Sequence, residues 1–210
     1  MEIIMGLNLK TTTGKVVASL ALVGTAAGVA GLGTYGAFTS STSASAAVAS
    51  GTVNIALGAS GTANRLSVAA SGMVPGDTVQ RAVTLSNAAG NQALSAVTLT
   101  TSALPTSKLD TDTTMGLQLV VDNCSVPWTE AGTSPAYTYS CSGTTTSVLA
   151  THPVIGSNLS LSNLTSVAAG QTDNLRVTLT LPATADSTLQ GQSSTIAFNF
   201  TGTQRTATNK

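Results

Sequence analysis

The sequence predicts an all-β fold, an antiparallel β-sandwich or jelly roll, that follows an N-terminal export leader. Beyond position 50, apolar residues alternate with polar ones almost everywhere, which is the period of a strand with one buried face. Combinations of Pro, Gly, Asn and Asp that form turns separate these alternating runs. Many short strands separated by turns are typical of antiparallel sandwiches and jelly rolls.

Eight segments carry this alternation and are predicted as strands. They are residues 53–57, 79–86, 96–101, 115–121, 137–141, 157–164, 177–181 and 196–201. The Val-Pro-Gly-Asp sequence at residues 74–77 is the clearest turn, and residues 87–91 are predicted to close a hairpin. The one helical segment expected after the leader is a short turn near residues 187–190.

Residues 16–32 form an apolar segment without charge, preceded by Lys10 and Lys15. A modest basic region followed by an apolar core is typical of a signal peptide. The alternative is a transmembrane anchor, but a spanning helix needs roughly 17–25 residues, and glycines disfavour a helix here. We therefore expect an exported and cleaved protein, and the small-x-small rule places the cleavage after Ala46.

Charged residues are scarce, with eight Lys or Arg against eight Asp or Glu in 210 residues. Nucleic acid is excluded as a partner, because the chain has no basic patch for phosphates and few aromatic residues for base stacking. The surface of the predicted domain must instead be covered by Ser, Thr, Asn and Gln. Little charge means little repulsion between copies of the chain, which favours self-association.

The chain has two cysteines, Cys124 and Cys141, and this number suits an oxidising compartment. A disulfide between them would close a loop of about 17 residues and stabilise the fold by roughly 3 kcal/mol in the chain-entropy model. A metal site is the alternative, but two thiolates and one distant histidine make a poor one. We expect the bridge to staple the loop that holds Pro127, Trp128 and Pro135.

No residue is predicted to be catalytic, to bind a metal or to hold a cofactor. A zinc peptidase needs two or three His, Glu or Asp ligands and a general base. The single histidine, His152, is predicted to be a loop residue beside a proline, and Glu130 is the only glutamate after the leader. Asp110 and Asp112 are expected in a solvated loop, with a calcium site as the alternative.

Three blocks of sequence stand out at the two ends of the predicted domain. The first is Gly-Thr-Tyr-Gly-Ala-Phe at 33–38, followed by Ala-Ser-Gly-Thr-Val-Asn-Ile at 49–55. The second is Met-Val-Pro-Gly-Asp at 73–77, and the third is Leu-Gln-Gly-Gln-Ser-Ser at 189–194. In this order the blocks resemble the TasA/camelysin family of secreted bacterial and related archaeal matrix-fibre proteins. That family has a leader ending in a Gly-Thr-Trp/Tyr-Ala-Ala-Phe-like run, a Leu-x-Pro-Gly-Asp turn and a Tyr-Gln-Gly segment.

The resemblance implies a jelly roll, with a signal peptide at 1–37, a donor segment at 38–50 and a domain at 51–210. It implies cleavage between Ala37 and Phe38 by a signal peptidase of the SipW type, and secretion to the extracellular matrix or cell surface without later membrane contact. It also implies donor-strand complementation, in which the new N-terminal strand fills a groove of the next subunit, a copy of the chain or a related matrix protein. The donor residues would be Phe38 and Val48 as larger anchors, with the small residues Ser43, Ala44 and Ala46 between them.

The predicted function is therefore that of a non-enzymatic structural subunit of biofilm-matrix fibres. A secreted monomeric module of the same fold, acting in surface binding or as an accessory protein, is the alternative. In that case residues 38–48 would be a free N-terminal tail. A camelysin-like metallopeptidase is a third and less favoured hypothesis.

Overall fold

Two antiparallel β-sheets and a short hairpin make up the computed structural model, which describes residues 39–43, 46–47, 56–57, 61–62, 64, 66 and 68–206. The described strands belong to the unit Phe38–Lys210. The predicted leader, the bond between Ala37 and Phe38, and residues 53–55 of a predicted strand lie outside the described residues. Within the described part of the chain, no helix has the length and apolar character needed to cross a membrane.

Thirteen strands occur in the described part of the chain and are numbered in chain order. They are β1 Thr39–Ser43, β2 Ala46–Ala47, β3 Ala56–Leu57, β4 Val68–Ser71, β5 Thr78–Asn87, β6 Leu94–Ala103, β7 Gln118–Cys124, β8 Thr129–Thr133, β9 Ala136–Ser140, β10 Thr145–Pro153, β11 Leu159–Ser160, β12 Gln171–Thr180 and β13 Ser193–Gln204. A four-residue helix, α1 (Lys108–Thr111), lies between β6 and β7. A 3₁₀ helix at Ser187–Leu189 is the short helical turn that the sequence predicts before β13.

The first sheet has the strand order β11-β6-β13-β1-β2, and β4 also pairs with β13. The second sheet has the order β10-β7-β12-β5-β3, and β8 pairs with β9 as a separate hairpin. Every pairing between the described strands is antiparallel. The predicted all-β antiparallel sandwich is confirmed, and its jelly-roll connectivity stays a prediction.

Alternation along the long strands places one face of each sheet in the core. In β12, Leu175, Val177 and Leu179 are completely buried, while the residues between them are partly exposed. In β13, Phe198 and Phe200 are buried in the same way. Burying a side chain of this size stabilises the folded state by about 1.5–3 kcal/mol. The alternating pattern read from the sequence therefore marks the face that provides most of the stability.

The hairpin predicted at residues 87–91 is wrong, because β5 and β6 belong to different sheets. Asn87 ends β5 opposite Gln171 of β12 in the second sheet. Leu94 begins β6 in the first sheet, and its N–H donates to Val167 O at 2.7 Å. The turn therefore crosses from one sheet to the other instead of joining neighbouring strands.

One predicted strand is shorter than expected, and another is shifted by three residues along the chain. Of residues 157–164, Leu159–Ser160 alone forms a strand, since Asn158 and Asn163 have left-handed φ angles of 53° and 57°. A left-handed residue interrupts the pleat of an extended strand. Residues 115–117 precede β7 and do not belong to it.

Three strands carry no clear period-2 signal in the sequence. β4, β8 and β10 consist largely of Ala, Ser, Thr and Gly, and β8 is mostly exposed. A strand that buries few apolar side chains has no hydrophobic alternation to reveal it. The position of such a strand is fixed by pairing with a neighbouring strand. β4 pairs with β13, β8 pairs with β9, and β10 pairs with β7.

Candidate functional site

Strand β1, which is part of the predicted donor segment, pairs antiparallel with β13 of its own chain. Five Cα pairs join β1 to residues 199–203, with Ser41 opposite Thr201 at the centre. β2 folds back on β1 and places Ala46 opposite Ser43. The described part of the segment therefore forms strands at the edge of the first sheet.

The structure includes two of the five predicted donor residues. Ser43 ends β1 and Ala46 begins β2. Phe38, Ala44 and Val48 lie outside the described residues. Cleavage before Phe38 and donation to a neighbouring subunit stay predictions.

The edge of β13 that receives β1 is shared with a second strand. β4 covers residues 193–196, with Ser71 opposite Ser193, and β1 covers residues 199–203. On its other edge β13 pairs with β6 along almost its full length. The position of β1 is thus a site on this edge of β13, called the slot below, and it is bounded at one end by β4. Main-chain groups do the pairing, and β1 occupies this slot with the uncharged sequence Thr-Ser-Ser-Thr-Ser.

The Val-Pro-Gly-Asp turn predicted before β5 is confirmed. Asp77 N–H donates to Val74 O at 3.0 Å, and Val74 N–H donates to Asp77 Oδ2 at 2.8 Å. Gly76 has a φ of 96°, which a side chain would strain. Its N–H donates to Leu181 O at 2.8 Å, so the turn is fixed to the residue that follows β12.

The second and third sequence blocks lie far apart in the chain and meet in the fold. Met73 and Pro75 of the turn line a cavity of about 200 Å³ together with Leu189 and Gln190 of the 3₁₀ helix and its cap. Leu189 is also part of the buried core. This geometry gives both blocks a structural role at the same end of β12.

The predicted disulfide is confirmed. Cys124, the last residue of β7, is bonded to Cys141, which follows β9, and their Cα atoms lie 5.8 Å apart. The loop between them contains the β8–β9 hairpin with Pro135 at its turn. The bridge therefore closes the hairpin at its base.

Trp128 fixes the same loop to the outer face of the second sheet. Its indole Nε1–H donates to Asn174 O at 2.7 Å, and the guanidinium carbon of Arg176 lies 4.4 Å from its ring centroid. Arg176 Nη2 also forms a 2.8 Å ion pair with Asp122 Oδ2, and Nη1 donates to Tyr139 O at 3.2 Å. One cation over a tryptophan face contributes about 0.5–1 kcal/mol at exposed sites, so the loop is held by several contacts as well as by the bridge.

Tyr139 is the most buried residue of the hairpin. Its hydroxyl donates to Glu130 Oε2 at 2.6 Å, and its N–H donates to Gln80 Oε1 at 3.0 Å. Burial raises the pKa of Tyr139, and the hydrogen bond to Glu130 raises it further, to about 12. The hydrogen bond joins β8 to β9 within the hairpin.

The expectation of a solvated loop is wrong for Asp110, which is 4 % exposed. It lies in α1, and its Oδ2 accepts the N–H of Ser107 at 2.6 Å and the hydroxyl of Ser194 at 2.5 Å. Ser107 in return accepts Leu109 N–H with its side chain, which makes the N-terminal capping box of α1. The Ser-x-x-Asp spacing is the sequence signal that identifies this box.

Asp112 has a separate role at the other end of α1. Its Oδ1 accepts the N–H groups of Met115 and Thr114 at 2.8 and 2.9 Å. These two bonds are the main reason why the pKa of Asp112 lies below its usual value. Both carboxylates thus accept main-chain N–H groups at the ends of α1, and Asp110 also accepts the hydroxyl of Ser194.

His152 does not lie in a loop as predicted. It belongs to β10 opposite Leu119, with its Nδ1 2.7 Å from Pro153 O. Among the described residues, no three His, Cys, Asp or Glu side chains lie close enough together to hold a metal ion. The described donor groups therefore do not fit the zinc centre of a metallopeptidase, which needs three protein ligands.

Two buried charged residues escaped the sequence analysis. Asp173 accepts four hydrogen bonds and is 1 % exposed, and Arg81 is 6 % exposed. Each occupies an inward position of a strand, Asp173 two residues before Leu175 and Arg81 between Val79 and Val83. A charged residue on the apolar face of an alternating segment is the signal that could have identified both.

Comparison with known proteins adds one finding. A family model described as camelysin metallo-endopeptidase matches residues 8–209, which is nearly the whole chain. The resemblance to the TasA/camelysin family is thereby confirmed. No curated protein matches the chain, and no solved structure matches it.

Proposed function

We propose, on the premise that this chain belongs to the camelysin metallo-endopeptidase family, that it is a non-enzymatic structural subunit of extracellular fibres. The leader directs export, and cleavage between Ala37 and Phe38 releases a subunit whose new N-terminal segment pairs with a neighbour. The neighbour is a second copy of the chain or a related matrix protein. The observation that carries the proposal is the pairing of β1 with residues 199–203 of β13.

Exchange of β1 between subunits conserves the bonds that hold it. A strand at the edge of a sheet is bound mainly by main-chain hydrogen bonds, which do not depend on the chain that supplies the strand. If β1 of one subunit enters the slot of the next in the same register, each lost bond is replaced by an equivalent one. Exchange of an identical element is a low-cost route to assembly for this reason.

The composition of the segment suits such an exchange. β1 has the sequence Thr-Ser-Ser-Thr-Ser, with no charge and no bulky side chain. The whole chain has a formal net charge of zero, so charge repulsion between subunits is weak. These properties lower the cost of bringing a donor strand from one subunit to the edge of another.

The receiving strand is held in place before a donor arrives. Phe198 and Phe200 anchor β13 in the core, and β6 pairs with its opposite edge. Ser194 ties its beginning to Asp110 of α1 through a buried hydrogen bond. A preorganised receptor loses little conformational entropy on binding, so more of the pairing energy remains for association.

The same pairing also favours a second candidate function. A chain whose β1 fills its own slot is a self-sufficient monomer, as expected for a secreted accessory module that binds at the cell surface. The two functions differ in one measurable property, which is the chain that supplies the strand beside residues 199–203.

A third candidate follows from the printed description of the family as metallo-endopeptidases. The proposal of a non-enzymatic role rests on the donor chemistry of the described residues, in which His152 is bound to a main-chain oxygen and both cysteines form a disulfide. Hydrolysis of casein by the purified protein, abolished by a chelator, would contradict the non-enzymatic role.

Cysteine cross-linking tests the donor strand. Ser41→Cys combined with Thr201→Cys places the two thiols on directly opposite residues of β1 and β13. We expect oxidation of the exported, assembled protein to give a ladder of covalent multimers on non-reducing gels. Filaments in electron micrographs of the same sample should accompany the ladder.

The matched control is Ser71→Cys with Ser193→Cys, which joins β4 to β13 at opposite residues within one subunit. This pair should give an intrachain bond alone, whether or not filaments form. An intrachain bond for the β1 pair under all conditions, without filaments, would contradict the fibre function and support the monomeric module.

A further inference from the structure

Arg81 lies on the wall of a cavity of about 350 Å³ at the margin between the two sheets. Ser71 of β4, in the first sheet, and Thr78 of β5, in the second sheet, line this cavity. Tyr137 of β9 and the turn before it form another wall. The cavity is therefore built from three separate strands and is open to solvent at its rim.

Arg81 is buried, and among the described residues its charge has no acidic partner. Its Nη1 donates to the main-chain oxygens of Gln80 at 2.7 Å and Pro135 at 3.3 Å, and its guanidinium carbon lies 5.4 Å from the Tyr137 ring centroid. Among the described residues, no carboxylate oxygen lies within 4.0 Å of its nitrogens, and neither Nε nor Nη2 has a hydrogen-bond acceptor. Buried cations are normally paired, since an unpaired buried charge is costly.

One acidic residue is among those that line the cavity. This residue is Asp77, and its Oδ2 accepts the N–H of Val74 in its own turn. Among the described residues, Nε and Nη2 of Arg81 thus have no acceptor, and Ser71 and Thr78 line the same cavity. A guanidinium with two free donor nitrogens matches the two oxygens of a carboxylate.

We propose that this cavity binds a carboxylate-bearing sugar, a hexuronic acid, with the carboxylate on Arg81 and the sugar hydroxyls toward Ser71 and Thr78. An aromatic wall and a few convergent polar groups are the usual lining of such a site. This binding site is independent of fibre assembly and lies away from the slot filled by β1 on residues 199–203.

An extended acidic peptide is the competing ligand, and the hairpin disfavours it. A peptide bound by strand addition needs a free strand edge. Beside Arg81 the hairpin lies against β5 through side-chain bonds, in which Tyr139 N–H donates to Gln80 Oε1 and Arg81 Nη1 donates to Pro135 O. A peptide strand added here would displace these bonds. A compact ring reaches the guanidinium without displacing these bonds.

The test is an amide NMR titration of the exported protein with sodium glucuronate. We expect saturable shifts at residues 77–81 and 135–137. Glucose, which lacks the carboxylate, and glutarate, which lacks the ring, should each bind at least about tenfold more weakly. The proposal is overturned if glucose or glutarate binds as tightly as glucuronate, or if glucuronate gives no saturable shifts. Glutarate binding as tight as that of glucuronate would favour an acidic peptide.

Arg81→Gln should weaken glucuronate binding at least about tenfold. Arg205→Gln, which removes the same charge outside the cavity, should leave it unchanged. Because Arg81 is buried and its replacement can prevent folding, Ala136→Trp provides a second variant that fills the exposed rim with Arg81 intact. It should abolish binding in a protein with an unchanged circular dichroism spectrum. Wild-type affinity in either folded variant contradicts the site.

Discussion

The hydroxyl of Ser194 donates a 2.5 Å hydrogen bond to Asp110 Oδ2 and so joins the beginning of β13 to helix α1. The two residues are separated by 84 positions in the chain and are both buried, at 2 % and 4 % exposure. Ser107 completes the group, with its hydroxyl 2.7 Å from that of Ser194. The strand that receives β1 is thus tied at its start to a helix from the middle of the chain.

Ser194→Ala should lower the free energy of unfolding by about 1–3 kcal/mol, because it removes a hydrogen bond from a buried carboxylate. Urea denaturation followed by circular dichroism measures the change. Thr195→Ala, at the exposed neighbouring position, is the control and should cost no more than about 0.5 kcal/mol. Equal losses for the two variants would show that the Ser194 hydroxyl has no special role.

The alternation of apolar and polar residues predicts most of the long strands. The features that it does not predict depend on contacts between residues far apart in the chain. Apolar and polar residues alternate along 177–181 and 196–201, which predicts strands, and the apolar face of each segment is buried in the structure. The turn at 87–91 signals a reversal of the chain, but turn chemistry does not specify which sheet receives the next strand. The polar sequence around Asp110 predicts exposure. Its buried partner, Ser194, is 84 residues away in the chain, so only the folded structure brings the two together.

Stability should fall between about pH 10 and pH 12 because of Tyr139. Its pKa is near 10 in the unfolded chain and is raised to about 12 in the folded one, first by burial and then by the hydrogen bond to Glu130. Below pH 10 both states hold the proton and the stabilisation is complete. Between the two pKa values the unfolded state loses its proton first, so the free energy of unfolding decreases as pH rises.

Denaturation midpoints measured across this pH range test the effect, with phenolate absorbance reporting the pKa itself. Tyr139→Phe cannot ionise at this position, so it should lose both the component that titrates near pH 12 and the associated fall in stability. A titration curve of the wild type that coincides with that of Tyr139→Phe would contradict the assignment.

Loss of the disulfide should lower the free energy of unfolding by roughly 3 kcal/mol, given the 17-residue separation of its cysteines. The change is Cys124→Ser with Cys141→Ser, measured by urea denaturation. Release of the hairpin should also shift the emission of Trp128 to longer wavelength, because its indole N–H loses its contact with Asn174. Trp128 is the single tryptophan of the chain.

A reductant should reproduce both effects in the wild type and have no effect on the double variant. Emission unchanged by reduction would show that the contacts of Trp128 and Arg176 hold the hairpin without the bridge.

The exported protein should begin at Phe38. A start at Phe38 retains the whole of β1, whereas a start at Ala47, the choice of the small-x-small rule, removes β1 and leaves residues 199–203 of β13 without that strand. N-terminal sequencing of the exported form distinguishes the two. A protein that begins at Ala47 cannot donate β1, so this result would exclude the proposed assembly mechanism.

Proline in β1 should prevent filaments while leaving the receiving strand intact. In an antiparallel pair, the N–H groups of adjacent residues point to opposite edges, so one of Ser41 and Thr42 directs its N–H toward β13. Ser41→Pro with Thr42→Pro removes that donor together with its neighbour. We expect the concentration needed for filament formation to rise at least about tenfold, since one lost main-chain bond and the misfit of two proline rings exceed about 1.4 kcal/mol.

The matched control is Ser41→Ala with Thr42→Ala, which keeps both N–H groups and should assemble as the wild type does. A mixture of the proline variant with wild-type protein adds a second readout. The proline variant retains an intact slot on β13, so it should accept a wild-type donor and then cap the filament, because its own strand cannot enter the next subunit. Shorter filaments in proportion to the added variant are therefore expected, and filaments of unchanged length would show that β1 is not the strand that joins the subunits.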